Sequence, residues 1–257
     1  MRVLACGRES IHYKLLLSIF LLFLTHFFTH SLFGYSYKDY LKTENRDHAY
    51  PWHRNIVTTV FWIGEGRTPI SGAACSTSAW DVHWRKNYGG LDDPIKRVGF
   101  LPRHFAATLN PFYVALPFND VAYPDLARKW VPWYKVPSPE NRFVSQCKGR
   151  WVEIRSKSGK VAYAQWEDVG PLRSDFASYV FGPDRPHEHN QAGLDVSPAV
   201  RDYLGLSGMN LTDWRIVDDC LVPPGPWIKY GEQAIIYSAI KAREKEASSQ
   251  WRPASFQ

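Results

Sequence analysis

An apolar β run that halts on Gly-Pro, followed after a loop by a capped helix, constrains this chain more than any other stretch. Val161-Ala162-Tyr163-Ala164-Gln165-Trp166-Glu167-Asp168-Val169 has period-two character and stops at Gly170-Pro171, so it reads as a strand. Gly193-Leu194-Asp195-Val196 then leads into Ser197, a favoured N-cap, and Pro198, which suits the first helical position. Ala199, Val200, Tyr203 and Leu204 form an apolar stripe at helical spacing and Gly205 is a stop, which predicts a short helix over 198–204. Asp168 therefore closes a strand, and Asp195 stands in the last strand-like residues before a helix. Two acids at the ends of adjacent elements are placed to meet across a groove.

The rest of the chain divides around that stretch. Residues 1–34 carry a basic start (Arg2, Arg8, Lys14) and a run from Leu15 to Phe28 that is nearly all Leu, Ile and Phe. Two readings stay open: a signal peptide with small residues near Thr29, Ser31 and Gly34, or an uncleaved anchor through residues 15–32. Both put the remainder outside the cytosol, periplasmic or secreted. Residues 35–55 read as a linker, 56–222 as one domain, and 223–257 as a C-terminal extension with a helix over 231–247. Ile56 to Trp62 and Asn110 to Phe118 are β-prone runs. Ser156-Lys157-Ser158-Gly159-Lys160 turns the strand around Cys147–Ile154 into the Val161 run. Residues 80–103 and 121–141 are insertions rich in turn residues, Pro and Trp. A net charge of +6 without a clustered basic stripe argues against nucleic acid. Contact with a membrane is expected only through the N-terminal segment, and a monomer is expected.

Several motifs arrive in an order that resembles the double-psi β-barrel superfamily, which includes rare lipoprotein A-type lytic transglycosylases, expansins, barwin-like proteins and barrel endoglucanases. The carriers are Gly72-Ala73-Ala74-Cys75, Val114-Ala115-Leu116-Pro117, Cys147-Lys148-Gly149-Arg150-Trp151-Val152-Glu153-Ile154, Asp168-Val169-Gly170-Pro171 and Leu194-Asp195-Val196. They span roughly residues 56–220. The resemblance implies an all-β fold: a six-stranded double-psi barrel with a short inserted helix, long loops and the C-terminal helical extension. It also implies a Cys75–Cys147 disulfide, and an exported protein acting on cell-wall polysaccharide, most simply peptidoglycan, by lytic transglycosylase-like cleavage. The alternative is a non-catalytic, expansin-like wall-binding module, since expansin-type barrels keep the acid and do not hydrolyse. A third reading keeps only the scaffold, as a secreted interaction protein.

Asp168 falls on the aspartate of the Asp-x-Gly-Pro motif of the lytic barrels, and Asp195 on the acid of the expansin and endoglucanase motif. Both are the expected catalytic pair, because glycan cleavage needs a carboxyl whose pKa is raised so that it carries a proton. Acids in such places also commonly bond backbone N–H groups, which is the competing structural role. Tyr113, Asn119, Asp120 and Trp166 are the candidate substrate-binding residues. Asn119 and Asp120 have the competing role of an Asx turn, and a Trp on a barrel strand is more often core. Two departures stand out: Tyr113 occupies the position of the lytic family's His, and Trp62 is followed by Ile63-Gly64-Glu65 where endoglucanases carry an aspartate. Glu65 can substitute only if its loop folds back. Of the four cysteines, Cys6 lies in the leader, leaving an odd number beyond it, Cys75, Cys147 and Cys220. His187-Glu188-His189 lacks Cys partners and reads as a solvated loop, so neither metal nor cofactor is expected.

Overall fold

The computed structural model describes residues 50–66, 76–187 and 190–231. Six strands close a barrel: β1 (His53–Val60), β4 (Tyr113–Leu116), β5 (Trp151–Ser156), β6 (Val161–Val169), β7 (Ala192–Val196) and β8 (Asn210–Val217), in the spatial order β1-β7-β4-β6-β5-β8. β1 with β7 and β4 with β6 are parallel, and the other four pairings are antiparallel. This order is unchanged when β1, β4 and β5 trade places with β6, β7 and β8, so the barrel is built of two interleaved halves. A minor hairpin, β2 (Arg97–Val98) and β3 (Leu101–Pro102), stands apart from it. Among the described residues, four short α-helices decorate the loops: α1 (Trp84–Tyr88), α2 (Pro124–Trp130), α3 (Ala177–Val180) and α4 (Pro198–Leu204).

Strand alternation fills the interior. Val114 and Leu116, Val152 and Ile154, Ala162, Ala164 and Trp166, Leu194 and Val196, and Trp214 and Ile216 are all buried in one cluster. The small residues Ala162 and Ala164 on β6 leave room in the interior for Trp214 of β8. Polar groups taken inside are bonded: Trp214 Nε1 donates to Tyr179 Oη at 2.9 Å, and that hydroxyl donates to the Gly193 carbonyl at 3.1 Å. His53 stacks on Trp214 with ring centroids 4.1 Å apart, and burial pushes its imidazole down to about 4, so it is held neutral.

A second buried cluster lies outside the barrel wall. Phe61, Ile63, Trp84 and Tyr88 pack on Tyr113 and Ala115, the residues of β4 that alternate with its interior pair. The 80–103 insertion thus supplies a second layer, covering the one strand whose two faces are both buried. The 121–141 insertion contains α2, with Pro124 in its first turn and Asp125 beside it.

The helix expected at 198–204 is α4. Ser197 Oγ accepts from Val200 N–H at 3.3 Å and donates to the Pro111 carbonyl at 2.7 Å, while Gly205 closes the helix in the left-handed region at φ 71°. The C-terminal helix expected at 231–247 lies outside the described residues, apart from Gly231, and so does the segment 1–49.

Because the Ser197 hydroxyl is wholly buried and serves both α4 and the Pro111 carbonyl, Ser197→Ala is expected to cost roughly 1–3 kcal/mol. Urea unfolding of the variant against the parent, at matched slope, checks it.

Candidate functional site

The two acids are placed by strand register. Ala115 on β4 pairs with Asp168 of β6 on one side and Asp195 of β7 on the other, and Asp195 pairs in turn with Thr59 of β1. Asp168, Ala115, Asp195 and Thr59 form one row across four strands. With strands about 4.8 Å apart, the backbones of the two acids are separated by roughly 10 Å. Paired residues share a face, and Ala115 faces away from the barrel interior. Alternation alone would send Asp168 inward with Ala162, Ala164 and Trp166. A register shift prevents this: one step from Val114 to Ala115 matches two steps from Trp166 to Asp168, with Glu167 as the extra residue.

Small groups lie between the acids. Gly170, at φ 154°, is so close that a Cβ there would stand 3.7 Å from Asp195 Oδ2 and 3.9 Å from the Ala115 methyl.

Asp168 is buried, and its Oδ1 accepts from the N–H groups of Ala79 and Val169, both at 2.8 Å. Its carboxyl is pushed up to about 7. Burial is the main cause, the two N–H donors oppose it, and the charge of Asp195 adds to it. Asp195 is half-buried, and its Oδ1 accepts from the Thr59 hydroxyl. Burial pushes it up to about 6 against that bond. Glu65 is the residue that pattern reading left conditional. Gly64 is left-handed at φ 86° and the Glu65 N–H bonds the Trp62 carbonyl at 3.0 Å, so the loop does fold back. Burial first, and then the Asp195 charge, push the Glu65 carboxyl up to about 6. Asp195 is thus the centre of a three-carboxylate group whose fields reach Asp168 on one side and Glu65 on the other.

The other candidates sit elsewhere. Trp166 is fully buried inside the barrel and its Nε1 donates to the Asp168 carbonyl at 2.8 Å, so it forms the dry wall behind Asp168 and offers no face to a ligand. Tyr113 is likewise enclosed, and burial raises its phenol well above its usual range. Its hydroxyl donates to Asp92 Oδ2 at 2.8 Å and accepts from Ile63 N–H at 3.1 Å. The position that the resemblance gives to a His is a hub of the outer layer. Asn119 makes the turn: its Oδ1 accepts from the N–H groups of Val121 and Ala122 and from Trp80 Nε1. Asp120 clasps the 145–147 loop, accepting from Ser145 Oγ and Gln146 N–H at 2.6 Å each and from Cys147 N–H at 3.2 Å.

The expected Cys75–Cys147 bridge finds no support. Cys147 is a buried free thiol, raised well above its ordinary range by burial and by Asp120, and Cys75 lies outside the described residues. Glu188 and His189 lie outside them too. Among the described residues no group of three His, Cys, Asp or Glu is arranged to hold a metal ion, and no helix is long and apolar enough to cross a membrane.

No protein-family model and no curated protein matches the chain. Among solved structures it is similar to the Streptomyces papain inhibitor (SPI), at 16% identity over 65% of this chain and 96% of that one, with a TM-score of 0.28. A likeness so distant carries nothing about function.

Raised carboxyl pKa values make stability depend on pH. Asp168 and Asp195 hold protons in the folded state, at about 7 and about 6, that an unfolded carboxyl releases near 4. Their contribution is fully present below pH ~4 and is lost as the pH rises through 6 and 7, by a few kcal/mol. Asp168→Asn keeps an oxygen for both N–H donors, and is expected to remove its share of that decline. Denaturant midpoints taken from pH 4 to pH 8 for parent and variant check this.

Proposed function

We propose that the protein acts on cell-wall polysaccharide outside the cytosol, by lytic transglycosylase-like cleavage on a barrel of the double-psi type. The single observation that supports this most is the cross-strand row in which two desolvated carboxyls flank Ala115 on the outer face of the barrel. The barrel type is supported by the exchange symmetry of the strand order and its two parallel pairs.

On this reading Asp168, the acid that keeps its proton to the higher pH, protonates the glycosidic oxygen as the bond breaks. Asp195, held by Thr59 and charged at neutral pH, stabilises the oxocarbenium-like sugar. In the lytic route the sugar's own hydroxyl closes onto the anomeric carbon and returns its proton to Asp168. The charge of Asp195 in turn adds to burial in raising the Glu65 carboxyl to about 6.

A second reading, a non-catalytic glycan-binding module, is favoured by one observation. Tyr113 is locked into the outer layer, so the lytic family's His has no counterpart in the groove.

Incubating the full chain with purified sacculi and with plant-type glucans, followed by mass analysis of soluble products, tests both. Anhydro ends are the expected outcome, and reducing ends would mark a hydrolase. Binding without release, or release unaffected by Asp168→Asn and Asp195→Asn, would overturn the catalytic reading. Each substitution is expected to cut release by about 10²-fold or more, with the thermal midpoint nearly unchanged near pH 4, where the parent carboxyls hold their protons. Release should peak between pH 6 and 7, because Asp195 must be charged and Asp168 protonated.

A further inference from the structure

We propose that the outer layer carries a groove for an anionic carbohydrate polymer, continuous with the carboxyl site; this rests on the glycan-directed reading above and names the charge of the glycan.

The groove is made by a turn without side chains. α1 ends at Gly89-Gly90, and Phe105 packs so closely beneath that a Cβ on either glycine would fall 2.9 or 2.8 Å from its ring. Two hollows meet at Gly90. One is edged by His83, Arg85 and Lys86, and the other by Lys96, Arg103 and His104. All six side chains belong to exposed residues.

Three of the four cations on this surface lack an ion-pair partner among the described residues. Elsewhere on the barrel Arg54 and Lys157 pair with Asp213, Arg155 and Arg215 with Glu153, and Arg173 with Asp175. In the groove the one acid along the edge, Asp93, is taken by Lys96 at 3.5 Å. Arg85, Lys86 and Arg103 have no ion-pair partner among the described residues. Uncompensated cations on the sides of a concave surface repel one another and concentrate a counter-charge.

The groove also reaches the acids. The side chain of Arg85 crosses to Gly64, with its Cδ and Nε at 3.4 and 3.5 Å from where a Cβ would stand, and Glu65 is the next residue. A chain seated along the cations is thereby led past the Glu65–Asp195 edge of the carboxyl group. The anionic substituents stay over Arg85, Lys86 and Arg103, and the acids meet the uncharged sugar links.

Shape decides between classes of polyanion. A bilayer is flat and meets protruding tips, whereas these cations line hollows. Nucleic acid binding calls for a long basic stripe with stacking faces, and the four cations and two histidines form two short clusters about one turn.

The test is equilibrium binding of the full chain to polygalacturonate, which carries carboxylates, and to phosphorylated mannan, which carries phosphates. A neutral dextran, single-stranded DNA and phosphatidylglycerol vesicles complete the set. Retention of at least one anionic glycan, weakening as salt rises, is expected, and the better of the two tells which anion the groove takes. Arg85→Gln, Lys86→Gln and Arg103→Gln together should weaken it about tenfold or more at low salt, with the thermal midpoint unchanged. Asp168→Asn should bind as the parent does. Failure to bind either anionic glycan, equal binding by the triple variant, or tighter binding of DNA or vesicles would overturn the groove. The catalytic reading is scored separately by product release: lost release with polyanion binding intact removes the mechanism and leaves the groove, and the opposite result does the reverse.

Discussion

The four-residue strand β4 holds the molecule together, bonding in parallel to β6 on one side and antiparallel to β7 on the other. Those two pairings join the halves of the barrel, since β6 and β7 belong to one and β4 to the other. They also decide where every functional group stands. A parallel pair cannot be closed by a tight turn, so the chain must travel far between β4 and β6. The 121–141 insertion lies on that path, and the 80–103 insertion, which precedes β4 in the chain, covers the strand.

Covering β4 has an electrostatic cost that a small network offsets. Asp92 is fully buried and its carboxyl is raised by desolvation, yet it is bonded by Tyr113 and by Arg97, whose guanidinium also donates to the Phe100 carbonyl at 2.5 Å. The Asp92 N–H donates to the Ile63 carbonyl at 3.0 Å while the Tyr113 hydroxyl takes the Ile63 N–H. Ile63 is therefore gripped at both backbone groups, and the turn that follows it carries Glu65 back over Asp195. A histidine at 113 would not reach the same two partners with one atom. The residue that looks like a departure at the sequence level is what fixes the third acid.

The carboxyl group and the cationic groove have opposite signs and are built in opposite ways. The acids sit on strands, bonded to backbone N–H groups and a threonine and partly cut off from water, so each holds its proton far above the usual range. The cations sit on a short helix and a two-residue hairpin, in solvent, where Arg85, Lys86 and Arg103 keep their charge without partners. Rigid placement suits groups that must share one small space. Loose placement on long side chains suits recognition of a repeating charge, where register along the polymer is not needed.

Much of this was legible in the residues themselves. Period-two alternation in Val161–Val169 and the Ser197-Pro198 start with its Gly205 stop are local preferences, so they specify β6 and α4 without help from the rest of the chain. That Asp168 and Asp195 stand close together was legible from the strand end and the helix start, and they flank Ala115. The bulge at Glu167 that turns Asp168 outward was not, because alternation alone points it inward. Trp166 and Tyr113 read as candidate substrate-binding residues, with core the competing role for the Trp, and both are enclosed, since an aromatic side chain looks the same to a pattern whether it stacks on a sugar or on a neighbour. Glu65 was legible only on the condition that its loop folds back, and Thr59 and the Ala79 N–H left no trace at all. The local sequence determined which segments are strands, where they stop and how the helix is capped, because those depend on backbone preference and on residues within a turn of one another. Which strands pair, in what register, and which loop folds over which acid was decided by the tertiary structure, because hydrogen bonds between distant strands are indifferent to side-chain identity until burial makes one register cheaper than the rest.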